Sequence, residues 1–401
     1  MSCPPVPPGR ASRAGARTGT AAPSPQPVAW LPEQWRMLFE RTGEPTYRAT
    51  QVFRWVHRRG VMDPHQMTDL SRGLRQRIAE VGLREPGCVR HVERADDGTR
   101  KLLIEFADEA RIECVLIPMS SELEQPTADA DAAAADDEDD ASRQQVTLCV
   151  STQHGCKMGC VFCASGKAGF RRHLDASEIV YQVLAARRHL DRTEQLRNVV
   201  FMGMGEPLDA YQQTARALRL LMHPEGVGLS PRRITVSTVG LVPGMEYLGR
   251  DFTGKVGLAL SLHAPDDVTR SRLVPVNRRY PVAALVQALR AYPLPRRRRF
   301  TIECALVSGV NDRPAQARAL AELLRGLPVK INLIPLNRIA GCELRAPGPR
   351  RIEAFRQQLA EQGYSCFVRT RRGDEVAAAC GQLALSGPDE DRGPGGARPI
   401  R

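Results

Sequence analysis

Three cysteines stand close together in "HGCKMGCVFCASG", with Cys156, Cys160 and Cys163 spaced three and then two residues apart. Thiolates at such spacing hold zinc or an iron–sulfur cluster. Structural zinc asks for four closed ligands, commonly two CxxC pairs, and no matching pair follows downstream. An iron–sulfur cube held by three thiolates leaves one iron open to a small molecule. The spacing therefore favours a cluster over zinc or over inert core cysteines.

Such a group needs a scaffold. From residue 146 onward, apolar β-branched runs recur at "QVTLCVS", "NVVFMGMG", "RITVSTVG", "VGLALSLHA", "FTIECALVS" and "VKINLIPLN". Helical patterns such as "ASEIVYQVLAARRHL" and "AQARALAELLRGL" lie between most of them. This alternation predicts an α/β fold with a parallel sheet, either a barrel or an open doubly wound sheet. Six strands are too few for a closed eight-fold barrel. "GYSCFVRTRRG" offers a seventh, followed by a short helix over "DEVAAACGQLAL". In either architecture the chemistry gathers at the C-terminal ends of the strands. The cysteines follow the first strand, and "GMGEP", "STVG", "SLHA" and "PLN" follow later ones.

Residues 29–87 read as a small helical domain with apolar positions at helical spacing and a cationic face, and 88–118 as a short antiparallel β extension. Residues 119–145 read as an acidic disordered insertion, and 1–28 and 386–401 as disordered ends. The net charge of +12 understates the basic body, because residues 121–140 hold nine acids and no Lys or Arg. Without that stretch 57 bases face 36 acids, a balance of +21 that suits a polyanion such as RNA. Candidate phosphate contacts are "RWVHRR", "KAGFRR", "RRRR" (296–299) and "RTRR" (369–372), the last being the strongest candidate. No run of eighteen apolar residues and no apolar leader segment occurs, so membrane insertion and secretion are not expected. Eleven cysteines without a secretion signal point to the reducing cytoplasm and to metal or catalytic use.

The stretches "CVSTQHGCKMGCVFCASGKAGFRR", "FMGMGEPL", "SLHAPDD", "KINLIPLN" and "RGDEVAAACGQLA" together resemble the RlmN/Cfr family of radical S-adenosylmethionine (SAM) RNA methyltransferases. The likeness runs in order through most of residues 105–384. It implies a partial (β/α)6 radical SAM barrel behind the helical domain and the β extension. It implies a [4Fe-4S] cluster on Cys156, Cys160 and Cys163, and two SAM molecules per turnover. SAM contacts carried over are Gly205, Glu206, Ser237, Ser261, Leu262, His263 and Asn337. Cys380 resembles the family's methyl-carrying cysteine, Cys149 its resolving partner and Glu113 its general base. From the residues alone, Cys149 and Cys380 read as small buried hydrophobes and Glu113 as a solvated strand residue.

The resemblance further implies a route. A methyl moves from one SAM to Cys380, an adenosyl radical from a second SAM takes a hydrogen from it, and the carbon radical adds to carbon 2 of adenine. After loss of an electron, a base removes the ring proton. Cys149 attacks the Cys380 sulfur, freeing the product and leaving a disulfide to be reduced. The implied partners are 23S rRNA at the peptidyl transferase centre, tRNA at the adenosine next to the anticodon, and an electron donor such as flavodoxin, with the chain a monomer. Two rival readings are a Cfr-type carbon-8 methyltransferase and a non-catalytic RNA-binding protein with structural zinc. The insertion at 119–145 and the tail after Leu385 depart from the family pattern.

Overall fold

The computed structural model describes residues 26–119, 143–339, 341–369 and 372–383. The chain begins with helices α1 (Pro32–Thr42), α2 (Arg48–Phe53) and α3 (Arg72–Glu80). A meander follows, of β1 (Gly87–Arg94), β2 (Arg100–Phe106) and β3 (Arg111–Pro118). After it come β4 (Gln144–Cys149), β5 (Gln153–Gly155), α4 (Ala164–Lys167), β6 (Phe170–His173), α5 (Ala176–Arg187), β7 (Glu194–Phe201) and α6 (Tyr211–Met222). Next are β8 (Ile234–Thr238), α7 (Val242–Phe252), β9 (Gly257–Ser261), α8 (Asp267–Leu273) and α9 (Val282–Ala291). The last are β10 (Phe300–Leu306), α10 (Pro314–Leu323), β11 (Val329–Pro335), α11 (Pro349–Glu361) and β12 (Ser365–Val368).

Ten strands form one sheet in the order β1-β2-β3-β4-β7-β8-β9-β10-β11-β12. The meander is antiparallel, and β3 pairs antiparallel with β4, setting Val115 opposite Cys149. From β4 to β12 every neighbouring pair is parallel. The order is open, and among the described residues β1 and β12 are not joined, so the barrel does not close. All seven residues of β10 are buried, as expected of a strand covered on both faces.

The helices begin and stop for local reasons. At the start of α5, Asp175 accepts the Glu178 N–H at 3.0 Å while the Glu178 carboxylate accepts the Asp175 N–H at 2.9 Å, a reciprocal cap. α5 is buried on nearly every side because the sheet and the N-terminal segment both cover it. Past Phe53, α2 continues as one π turn through Arg58. Its end is satisfied from across the fold: Arg187 donates to the carbonyls of His57 and Arg58, each at 3.2 Å, and Arg188 to that of Gly60 at 2.6 Å. Phe53 stacks against His57 and His223, with ring centroids 4.3 and 4.6 Å away. The N-terminal helices and the barrel share one continuous core.

Several expected boundaries move. Pro27 and Val28 are buried in a 3-10 turn, so the ordered chain starts before residue 29. Gln144 and Gln145 belong to β4, and the Met119 N–H donates to the Gln145 carbonyl at 2.8 Å, which trims the insertion at both ends. The rest of it (120–142), residues 1–25 and the 386–401 tail lie outside the described residues. The helix expected over 374–385 is a single 3-10 turn, Asp374–Val376. Left-handed φ values at Gly373 (62°), Ala377 (47°) and Gly381 (83°) break any longer helix.

The meander is fastened to the barrel by a buried ion pair. Arg100 donates to both oxygens of Glu194, at 2.7 and 2.6 Å, and to the His189 carbonyl at 2.7 Å, with both side chains almost fully buried. Removing one partner strands the other charge in the core, so Glu194→Ala is expected to cost about 3–5 kcal/mol. A lowered urea midpoint against wild type measures it; an unchanged midpoint contradicts this account.

Candidate active site

The loop bearing Cys156, Cys160 and Cys163 is bracketed by β5 and β6, which pair antiparallel. Gly155, at φ 77°, lets the two strands close: a Cβ there would run into the Gly169 carbonyl. The Cys156 N–H donates to that carbonyl at 3.1 Å. Burial pushes the Cys156 thiol up to about 12, with the nearby Cys163 and Glu206 adding to it. Burial also raises Cys160, which feels Cys163, Cys156 and Glu206 in turn. The three cysteines share one loop, though among the described residues no three such side chains are grouped closely enough to hold a metal ion. Burial holds Cys156 and Cys160 neutral, and a bound cation would favour their thiolates.

A cavity of about 280 Å³ opens beside them. Its wall includes Cys149, Cys160, Cys163, Gly205, Glu206, Ser237, Ser261, His263, Asn337 and Cys380. Ten of the thirteen residues singled out from the sequence thus meet at one place. Of the remaining three, Cys156 lies in the cluster loop, and Leu262 is buried and sends its main-chain N–H to the Glu303 carbonyl at 3.1 Å. Glu113 does not reach the cavity wall. Nor is it solvated: it is 2% exposed and its carboxylate meets Lys101 Nζ at 3.1 Å.

The strand ends are built to hold polar groups. Gly205 has φ 103°, and a Cβ there would stand 2.5 Å from Gln153 Cβ. The Glu206 carboxylate accepts the N–H groups of Leu208 at 3.1 Å and Val239 at 2.9 Å. Burial nevertheless pushes it up to about 7. His263 adopts φ 62°, a costly backbone state for a non-glycine residue. Its Nδ1 accepts the Ala305 N–H at 3.0 Å, which fixes the ring, and burial drives it down to about 3, so it is neutral. Phe162 packs edge-on against that ring at 4.8 Å.

Cys380 arrives from the far end of the chain. Asn337 Nδ2 donates to its carbonyl at 3.0 Å, the Ala164 N–H to the Gly381 carbonyl at 2.8 Å, and Ser165 Oγ to the Leu383 carbonyl at 2.6 Å. The loop is thereby tied to α4, directly after Cys163. The Gly373 N–H donates to Asp97 at 3.0 Å, anchoring it also to the turn between β1 and β2. Cys380 has accessible surface, yet protein rings it and that surface is cavity wall. Burial pushes its thiol up to about 12, with Glu303 and Cys163 nearby. Cys149 is likewise pushed up to about 12 by burial, and Cys380 is the next contributor. Both residues line the one cavity.

Other contributors were not singled out from the sequence. Ser151 Oγ donates to the Glu113 carbonyl at 2.6 Å and accepts the Met204 N–H at 2.8 Å, while Gln153 Oε1 accepts the Glu206 N–H at 3.0 Å. This network pins "GMGEP" to the chain leaving β4. Buried Arg270 donates to the carbonyls of Val239 (2.6 Å), Ser261 (3.2 Å) and Leu262 (3.0 Å), gathering the ends of β8 and β9. Polar residues straight after a buried strand were the available signal for Ser151 and Gln153; Arg270 had none. The basic clusters divide. Arg369 and Arg372 line the cavity, whereas 296–299 precede β10 and so lie at the opposite end of the strands. In "KAGFRR", Arg172 is committed to Asp108 at 2.6 Å and Glu178 at 2.7 Å. In "RWVHRR", His57 and Trp55 are core residues.

Fold and site together define a radical SAM enzyme, a class that carries a [4Fe-4S] cluster and uses SAM: the radical SAM superfamily model matches residues 150–321. The donor set fits those groups. Cys160 and Cys163 belong to one cavity wall with Asn337, whose buried Oδ1 has no hydrogen-bond partner among the described residues. The ribosomal RNA large subunit methyltransferase N-terminal domain model matches residues 31–82. A dual-specificity RNA methyltransferase RlmN from Sorangium cellulosum is 58% identical over 90% of this chain and 96% of its own length. One from Marinobacter nauticus is 44% identical over 88% and 90%. The crystal structure of a radical SAM methyltransferase from Sphaerobacter thermophilus superposes with a TM-score of 0.79 at 40% identity, covering 90% of this chain and 99% of that one. The chain belongs to the RlmN family. No helix among the described residues is long and apolar enough to cross a membrane.

Gly205→Ala forces its new methyl against Gln153 at a left-handed φ. Reconstituted protein carrying it is expected to keep its iron and to lose SAM affinity by at least about tenfold, the loss following from distortion of the polar strand end. Calorimetric titration with SAM reads this. Unaltered affinity would show that this turn does not shape the cofactor site.

Proposed function

We propose that this radical SAM RNA methyltransferase methylates carbon 2 of adenine, in 23S rRNA at the peptidyl transferase centre and in tRNA at the adenosine next to the anticodon, by carrying the methyl group on Cys380. The observation that carries this reading is the meeting of Cys149, Cys163 and Cys380 around one cavity, although the chain brings them from opposite ends of the barrel. Relatives named dual-specificity RNA methyltransferases support the choice of substrate.

A cluster on Cys156, Cys160 and Cys163, with SAM against Gly205, Glu206, Ser237, Ser261, Leu262, His263 and Asn337, supplies both a methyl donor and an adenosyl radical. What remains is the work of the chain. Carbon 2 of adenine is electron-poor and has no lone pair to displace a sulfonium methyl, so the carbon travels on sulfur instead. Cys380 gives up its thiol proton and takes the methyl. Arg369 and Arg372, in the cavity wall, are placed to engage the phosphates of a nucleotide extruded from its stack. Once carbon is joined to the base, the Cys149 thiolate attacks the Cys380 sulfur. An S–S bond forms, the C–S bond breaks with its electron pair passing to the nucleobase adduct, whose methylene takes up a proton to become the methyl group, and the product leaves. Glu113 is assigned the ring proton. Because its carboxylate rests on Lys101 behind the wall, that role requires the ion pair to open.

Cys380→Ala, reconstituted anaerobically and given rRNA with methyl-labelled SAM, is expected to place label on neither protein nor adenine, at least 100-fold below wild type on the scale of losing a covalent catalyst. Methylated RNA from that variant overturns the proposal. Mass spectrometry of the wild-type product nucleosides separates carbon 2 from carbon 8.

A further inference from the structure

Glu303 lies in the middle of β10, in the cavity wall, and has no part in the chemistry above. It is 4% exposed. Its Oε1 accepts the Asn332 amide at 2.9 Å, while Oε2 has no hydrogen-bond partner among the described residues. Its main-chain carbonyl takes the N–H groups of Leu262 and His263, at 3.1 and 3.2 Å, which holds the residue rigidly between β9 and β11. Burial pushes its pKa above the usual carboxylate range and nearby Arg369 opposes that. A buried acceptor left unmet is costly, and folds retain one where a ligand meets it.

Its position says which ligand. Glu303 and Cys380 line the same cavity, and the carboxyl is near enough to act on the Cys380 thiol. Glu206, by contrast, acts on Cys156 and Cys160 at the cluster end. In adenine, carbon 2 and the exocyclic 6-amine flank N1 on one edge of the ring. A base presenting carbon 2 to the Cys380 sulfur therefore turns its amine toward a neighbouring group on that side. We propose that Glu303 is a specificity-determining residue that accepts a hydrogen bond from the 6-amino group of the target adenine. Guanine places a carbonyl oxygen at that position, which a carboxylate repels, and unsubstituted purine leaves the acceptor unmet. Sites built around a buried hydrogen bond reject the analogue that lacks it far more strongly than apolar pockets reject a missing methylene.

The inference rests on the proposed nucleobase methylation, and its test separates the two. Full-length reconstituted enzyme is given two RNA hairpins, with adenine or with unsubstituted purine at the target position, and kcat/KM is measured for each. Wild type is expected to prefer adenine by on the order of 100-fold, and Glu303→Ala to narrow that to less than about tenfold, chiefly by losing adenine. Glu303→Gln, which keeps an acceptor oxygen, is expected to retain most of the preference. Iron content and circular dichroism matching wild type show that both variants fold and load. Equal losses on both hairpins in Glu303→Ala, or an undiminished preference for adenine, overturn the role of Glu303. Failure of wild type to methylate either RNA overturns the methyltransferase proposal and this inference with it.

Discussion

Everything in this molecule turns on bringing sulfur atoms from distant parts of one chain to a shared, water-poor space. The cluster cysteines sit on a loop after the first parallel strand, Cys149 ends that strand, and Cys380 comes after the last. Two hydrogen bonds join the cluster segment to the Cys380 loop, Ala164 N–H to Gly381 and Ser165 Oγ to Leu383, and Asn337, just after β11, adds a third to Cys380. The Cys380 segment, which has one 3-10 turn among its described residues, is held over the barrel mouth by these and by the Gly373–Asp97 bond.

An open barrel suits this arrangement. Parallel strands deliver their polar ends to one rim, as "GMGEP", "STVG", "SLHA" and "PLN" do here, and leave a gap across which a large substrate can enter. The antiparallel meander adds to the wall by pairing with β4, and its β1–β2 turn grips Gly373. The buried Arg100–Glu194 pair locks meander to barrel, so positioning of Cys380 depends in part on a contact far from it.

The electrostatics follow from the same enclosure. Cys149, Cys156 and Cys380 are all pushed up to about 12, and His263 down to about 3, because burial disfavours charge in each case. Apart from Arg369 and Arg372, the polar side chains named in the wall are thus held toward neutrality. Charge arrives with the ligands, where unmet acceptors such as Asn337 Oδ1 await them. Arg172, which sequence offered as a phosphate contact, is instead spent on Asp108 and Glu178.

The amino-acid sequence alone determined the alternation of strands and helices, the strand ends where chemistry gathers, and the cysteine triplet, because hydrophobic periodicity and ligand spacing are local properties. Cys149, Cys380 and Glu113 were legible only through resemblance to a family, since a lone cysteine or carboxylate carries no local mark of its use. Tertiary structure decided the rest. It buried Glu113 against Lys101 behind the wall, set "RRRR" at the wrong end of the strands, replaced a short helix with an irregular loop around Cys380, and placed Glu303 in the cavity wall. Each of those outcomes depends on which residues meet across long separations in the chain, and no window of neighbouring residues contains that information.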